Sequence, residues 1–200
     1  MKYIHNQDIH NTNAANEIVP IIIDLFSPKN VADIGCGTGT FLNVFKSNGI
    51  SDVIGIDGSW VDWKLLLKNI NEAEFFECDF EKGVRLKKRY DICICLEVAE
   101  HISPYKSSSF ISDLSEISNV IIFSAAIPFQ GGQNHLNEQW IDYWQDLFKE
   151  KGYSIYDGLR ELIWDNKNVD VWYKSIYLFL LKIQSFLIIR VILVLLSVIK

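Results

Sequence analysis

The sequence predicts an α/β fold, with a mostly parallel, doubly wound sheet and helices on both faces. Three observations carry that reading. The first is Val31-Ala-Asp-Ile-Gly-Cys-Gly-Thr-Gly-Thr40, an apolar run that enters a glycine-rich turn. Phe41, Leu42, Val44 and Phe45 follow it at helical spacing, so the segment reads as strand, tight turn and helix. The second is regular alternation. Short apolar runs near 31–35, 53–57, 74–78, 91–96 and 119–125 are separated by helical patterns near 39–48, 60–69 and 107–116. The third is an acid at or just beyond successive strand ends: Asp33, Asp57, Asp79 and Glu97. Right-handed crossovers gather all of these on the carboxyl edge of the sheet, where open α/β sheets bind ligands.

Taken in order, residues 1–15 are rich in Asn, His and Gln with no strand or helix period, and they read as a flexible arm. Asn16 to Leu25 is apolar at helical spacing and is closed by Pro28, which predicts a helix ahead of the first strand. Gly35, Gly37 and Gly39 then allow positive φ and remove the Cβ atoms that would keep a ligand from the backbone. The following helix start offers unpaired N–H groups to an anion. Asp57 closes Val53-Ile-Gly-Ile-Asp57 and lies 22 residues after Gly35 (57 − 35), where nucleotide sites of this type place a carboxylate on ribose hydroxyls. Glu74-Phe-Phe-Glu-Cys-Asp79-Phe80 is a strand ending in an acid beside an aromatic. Tyr90 to Leu96 is a strand with an acidic exit, Glu97, leading to Glu100 and His101. The fifth strand leaves through Phe123-Ser-Ala-Ala-Ile-Pro128-Phe-Gln-Gly131-Gly132-Gln-Asn-His135, a Pro/Gly loop rich in polar groups. A helix from Trp140 to Lys151 follows, with Trp140, Ile141, Trp144, Leu147 and Phe148 on its apolar face and Asn137 near its start as a cap.

These motifs resemble the class I S-adenosylmethionine-dependent methyltransferases, with a Rossmann-like sheet whose last strand is antiparallel. The resemblance covers residues 16 to 165 and makes S-adenosyl-L-methionine the expected cofactor. It implies that Asp33, Gly35, Gly37 and Gly39 hold the methionine end and that Asp57 binds the ribose. It further implies that Asp79 bonds the adenine amino group, that Phe80 packs on the ring, and that Leu96 and Glu97 line the inner face. The Pro/Gly loop, with Trp164-Asp165-Asn166 and Trp172-Tyr173, is similar to a bacterial group often associated with surface-sugar and polysaccharide pathways. That implies a small or sugar-like hydroxyl acceptor. Enzymes of this kind that methylate nitrogen carry an Asn/Asp-Pro-Pro-aromatic motif after the fourth strand; here the chain reads Leu96-Glu97-Val98-Ala99.

For a hydroxyl acceptor the enzyme aligns the oxygen and removes its proton. Histidine titrates near neutrality, so His135 in the covering loop is the first candidate base, with His101 and Glu97 behind it. No cluster shows metal-ligand spacing: His135 and Glu138 stand at i, i+3, but no third ligand is identifiable, and no metal is expected. A net charge of −6 and only a short basic run, Arg85-Leu-Lys-Lys-Arg89 (read as a solvated helix end), argue against nucleic acid as partner. Cys36, Cys78, Cys93 and Cys95 form no redox or metal motif; with a polar N-terminus they read as reduced core residues of a cytoplasmic protein.

Two other classes fit parts of the pattern. One is a nicotinamide-dependent oxidoreductase, which shares the glycine turn but leaves Asp33 and Asp79 unexplained. The other is a non-catalytic cofactor-binding subunit. The expected organisation is an arm (1–15), a methyltransferase domain (16–183) and an apolar tail (184–200). Lys174 to Lys182 supplies the last strand. Residues 185–199 carry twelve apolar side chains and one charge, Arg190. As a helix, 185–200 would be ~24 Å long, short of a ~30 Å hydrocarbon core. The expectation is therefore attachment to a membrane surface or a second copy of the chain, with the protein peripheral at a membrane in the first case.

Overall fold

The computed structural model describes residues 11–175 and 177–181. Seven strands form one sheet: β1 (Asn30–Ile34), β2 (Asp52–Asp57), β3 (Phe75–Glu77), β4 (Ile92–Leu96), β5 (Val120–Ser124), β6 (Tyr153–Tyr156) and β7 (Tyr177–Leu181). Their spatial order is β3-β2-β1-β4-β5-β7-β6. β3, β2, β1, β4 and β5 are mutually parallel, and β7 runs antiparallel to both β5 and β6. The expected mostly parallel sheet with an antiparallel last strand is therefore present.

The helices are α1 (Asn13–Phe26), α2 (Thr40–Ser47), α3 (Trp63–Leu66), α4 (Ser107–Ile117), α5 (Ile141–Glu150) and α6 (Gly158–Ile163). Side chains alternate across the central strands, so each strand feeds two cores. Val31, Ile92, Ile94, Val120 and Ile122 pack with α1, α2 and α6 through Ile18, Ile22, Leu42, Phe45 and Ile163. Ala32, Ile34, Cys93, Cys95, Ile121 and Phe123 face α4 and α5, meeting Phe110, Leu114, Trp144 and Phe148. Burial on both faces explains why these strands read as continuous apolar runs rather than as alternating ones.

Several expectations shift. α1 begins at Asn13, not Asn16, because Ala14 and Ala15 are buried one turn ahead of Ile18 and Val19. The Asn-rich composition hid that turn. Residues 1–10 of the arm, and the tail at 184–200, lie outside the described residues. The helix expected near 60–69 shrinks to α3, started by Asp62, whose carboxylate accepts the Leu65 N–H at 3.1 Å. Asn137 is not the cap of α5: its Nδ2 donates to Ser107 Oγ at 2.8 Å, and Trp140 stands at the N-cap without a side-chain bond. Of the face assigned to α5, Trp144 and Phe148 are buried, while Trp140 is exposed.

The basic run 85–89 is loop rather than helix end, and three of its four charges are occupied. Arg85 pairs with Asp113, Lys88 with Asp52 at 2.5 Å, and Arg89 donates to the Ser115 and Glu116 carbonyls at 3.1 and 2.9 Å. Among the described residues, no helix is long and apolar enough to cross a membrane. All four cysteines are free thiols.

Candidate functional site

The carboxyl ends of β1 to β5 open into one cleft of ≈ 1890 Å³. Single-ligand pockets typically enclose ~300–1,000 Å³, so this cleft has room for two ligands side by side. Asp33, Gly35, Gly37, Asp57, Asp79, Phe80 and Leu96 line it with Glu97, Glu100, His101 and His135, while Gly39 stands behind the lining at the start of α2. The structure thus brings the sequence-derived candidates onto a single wall system.

The glycine turn is built by backbone alone. Gly35, Gly37 and Gly39 have φ of 76°, 54° and 78°, a region costly for side chains. A Cβ on Gly35 would lie 2.2 Å from Val98 Cγ2, so the turn presses directly on the segment that follows β4. The Gly35 N–H donates to the Ile56 carbonyl at 2.7 Å, tying the turn to β2. Gly39 caps α2 with no side chain, so the first-turn N–H groups have no side-chain acceptor.

Asp57 locks the same turn from the end of β2. Its Oδ2 accepts the Gly37 N–H at 2.7 Å and its Oδ1 the Gly58 N–H at 2.6 Å. Burial pushes its carboxyl up to about 6, against the lowering effect of those two N–H groups and the Trp60 side chain. Asp33 is more extreme. It is buried, no hydrogen bond or ion pair to its carboxylate forms among the described residues, and it faces Asp57. Desolvation, with the Asp57 charge second, pushes its carboxyl up to about 8. Two buried acids without a cation between them make a pocket suited to an ammonium group and hydroxyl donors.

Trp60, missed at the sequence level, folds over Gly58; a Cβ there would lie 2.3 Å from the indole ring. Its place two residues past a strand-end Gly was the available signal. Asp79 stands half-exposed at the end of β3. It accepts the Glu81 N–H at 3.2 Å and pairs with Lys82 at 3.0 Å, which hold its carboxyl below the usual range. Phe80 is buried edge-on against Phe110, with ring centroids 6.0 Å apart, and reaches the cleft from within the α4-side core.

The lining that follows β4 and β5 is acidic and imidazole-rich. Glu97 adopts φ 56°, which turns the chain sharply off β4. Its N–H donates to the Ser124 carbonyl at 3.1 Å, and its Oε2 accepts Gln130 Nε2 at 2.8 Å. Its Oε1 is buried without a partner, and burial raises its carboxyl. Glu100 is 1% exposed, its Oε2 has no partner, and desolvation followed by the Glu97 charge raises its carboxyl strongly. His101 and His135 meet edge to face with ring centroids 5.0 Å apart. Burial and the neighbouring His135 lower the His101 pKa. His135 Nδ1 lies 2.8 Å from Glu138 Oε1, and its Nε2 lies 4.0 Å from Glu100 Oε1. Glu138 also accepts the Phe129 and Gly131 N–H groups at 2.9 Å each, so it folds the loop after β5 and orients the imidazole together. That role was not legible from a residue three positions away on a loop.

A parallel five-strand unit completed by an antiparallel β7 and the edge strand β6, with the acids on the strand ends, is the class I methyltransferase architecture. The dinucleotide-binding sheet differs, running 3-2-1-4-5-6 with all strands parallel. The sequence model of a methyltransferase domain family matches residues 8–170. The chain belongs to that family, which displaces the oxidoreductase alternative. Among curated proteins no sequence matches the chain.

Solved structures with the same fold include a SAM-dependent methyltransferase from Archaeoglobus fulgidus, 15% identical at a TM-score of 0.59, covering 86% of this chain and 95% of that one. Streptomyces venezuelae DesVI is 12% identical at a TM-score of 0.61, with 89% and 99% covered. Human N-acetylserotonin methyltransferase, solved in complex with SAM, is 14% identical at a TM-score of 0.55, with 87% and 52% covered.

Proposed function

We propose that this protein is an S-adenosylmethionine-dependent methyltransferase acting on a hydroxyl of a small or sugar-like acceptor. The observation that carries the reading is the pairing, in one double-sized cleft, of a glycine turn flanked by buried Asp33 and Asp57 with a second polar wall around His135. In this reading Asp33 faces the ammonium of the methionine moiety, and the N–H groups at the start of α2 face its carboxylate. Asp57 takes the ribose hydroxyls on its remaining lone pairs, Trp60 and Phe80 flank the adenine, and Asp79 bonds the adenine amino group. When bound, the cofactor supplies an already activated methyl group. The chain's own task is to position the acceptor and take its proton. His135, held through Nδ1 by Glu138 and with Nε2 4.0 Å from Glu100 Oε1, is the first candidate for that purpose, with His101 beside it and Glu97 as a further candidate.

The acceptor preference rests on the rim. Tyr105, Phe129, Trp140 and Trp164 line the cleft and are exposed, offering flat apolar faces of the kind that stack on the C–H face of a sugar ring. The fallback, a cofactor-binding subunit without turnover, would retain the first wall and lack activity at the second. From sequence alone, we also propose that the residues ahead of α1 form an arm and that the tail from 184 to 200 attaches the domain to a membrane surface or to a second copy.

Methyl transfer to a panel of nucleotide sugars, glycan fragments and small hydroxylated metabolites tests the reaction. Labelled product with at least one acceptor is expected; binding of cofactor without transfer to any of them favours the fallback. Asp57→Ala should weaken S-adenosylhomocysteine binding by ~1.5–3 kcal/mol, read by calorimetry, since it removes charge-assisted bonds and releases the glycine turn. Unchanged affinity would remove Asp57 from the cofactor site.

A further inference from the structure

Glu100, His101 and His135 come from two separate segments, the turn after β4 and the loop after β5. Each offers one ligand atom, and these atoms all lie within 4.8 Å of one another. The gap between His135 Nε2 and Glu100 Oε1, 4.0 Å, is too long for a hydrogen bond. Two ligands held tetrahedrally by bonds of ~2.0–2.2 Å stand ~3.3–3.6 Å apart, so an ion would draw this pair together by about half an ångström. A second observation stands apart from that clustering. Glu100 is 1% exposed, and its Oε2 has no partner. Leaving a carboxylate oxygen buried and unpaired costs free energy that a bound cation offsets. Among the described residues, neither Glu97 nor Glu100 is paired with a lysine or arginine.

The surroundings of the two rings also match those of metal-bound imidazoles. Such rings usually pass their second nitrogen to a carboxylate or a backbone carbonyl, which fixes the tautomer and the ring plane. His135 Nδ1 lies 2.8 Å from Glu138 Oε1, and His101 Nδ1 lies 3.4 Å from the Asn134 carbonyl. Glu138 is itself fixed by the Phe129 and Gly131 N–H groups, so the His135 ring is set by the fold of the loop.

We propose that Glu100, His101 and His135 bind a divalent transition-metal ion on the acceptor wall of the cleft. Two imidazoles and one carboxylate leave open positions, as in catalytic zinc and non-haem iron sites, and favour Zn²⁺, Co²⁺, Fe²⁺ or Mn²⁺ over Ca²⁺. The inference rests on the proposed reading of this wall as the acceptor side. It makes His135 a ligand through Nε2 in place of the base, and leaves Glu97, whose Oε1 has no partner, to take the proton of an acceptor oxygen bound in an open position. The sequence does not announce this site, because Glu100 and His101 stand on a turn over thirty residues before His135.

The test is titration of untagged, metal-stripped full-length protein with Co²⁺, followed by visible absorption, with Zn²⁺ and Mn²⁺ as competitors. One equivalent should bind. His101→Ala and His135→Ala should each weaken binding by at least ~10²-fold, and Glu138→Gln by ~10–100-fold, the usual effect of losing an outer partner. Glu100→Gln provides a variant of unchanged size should a histidine replacement unfold the chain, and it too should abolish stoichiometric binding. Absence of binding at millimolar Co²⁺, Zn²⁺ and Mn²⁺, or binding undiminished in these variants, overturns the proposal. S-adenosylhomocysteine calorimetry on the same samples separates the two readings. Cofactor binding without metal binding refutes the cation alone, whereas metal binding without cofactor binding refutes the methyltransferase reading.

Discussion

Asp33→Asn should make the ligand-free protein more stable at pH 8 and make its cofactor binding weak. The sign follows from the two protonation equilibria. In the unfolded chain Asp33 ionises near 3.8, and in the folded protein burial raises it to about 8. Between those values the unfolded chain has released a proton that the folded one keeps. The unfolded state therefore binds fewer protons, and stability falls as pH rises from about 4 to about 8. Above that window both states are ionised and the curve is flat. Asp57, raised to about 6, adds a smaller slope of the same sign at the lower end.

At ~1.4 kcal/mol per unit the Asp33 separation bounds the penalty at ~5–6 kcal/mol at pH 8. A buried amide in its place recovers only part of that, so ~2–4 kcal/mol of added stability is expected by urea denaturation. The same substitution removes the anion proposed to face the cofactor's ammonium, and S-adenosylhomocysteine affinity should fall at least ~30-fold. In the natural chain that affinity should climb toward tenfold per pH unit between 6 and 8, as binding draws the ionised form. The asparagine variant should be flat. A variant that loses stability at pH 8 while keeping its affinity would show that Asp33 serves the fold rather than the ligand.

His135→Ala should leave S-adenosylhomocysteine affinity nearly unchanged and lower turnover by at least ~10²-fold. The ring is held by Glu138 in the loop after β5 and, among the described residues, makes no hydrogen bond, ion pair or ring contact with Asp33, Asp57 or the turn glycines. Its loss therefore acts on the acceptor side, whether through the proton it would take or the ion it would hold. Equal losses of cofactor affinity and turnover would make it a structural residue of the loop. Full activity would pass the role to His101 or remove the need for either.

The parts of this molecule legible in sequence are those governed by local rules. The glycine turn, the acids at 57, 79 and 97, and the alternation of β1 to β5 with helices each announce themselves within a few residues. What escaped detection depends on distant partners or very short elements. β6 is a four-residue strand, Tyr153–Tyr156, partly exposed at the sheet edge, and α6 is six residues long, too short for a helical period. Asn137 looked like a helix cap because its partner, Ser107, is thirty residues away. The convergence of Glu100 and His101 with His135 is likewise a product of the sheet's topology, since β4 and β5 are parallel neighbours whose exit loops must meet. Nothing local in either segment specifies it.

The central claim is that the cleft beside Asp33 and Asp57 is a cofactor site of the methyltransferase kind. Isothermal calorimetry of the full-length protein with S-adenosylhomocysteine near pH 8 tests it most directly. A saturable heat at one ligand per chain is predicted, accompanied by a rise in thermal midpoint and reduced by Asp57→Ala. No heat and no thermal shift at millimolar ligand would contradict it.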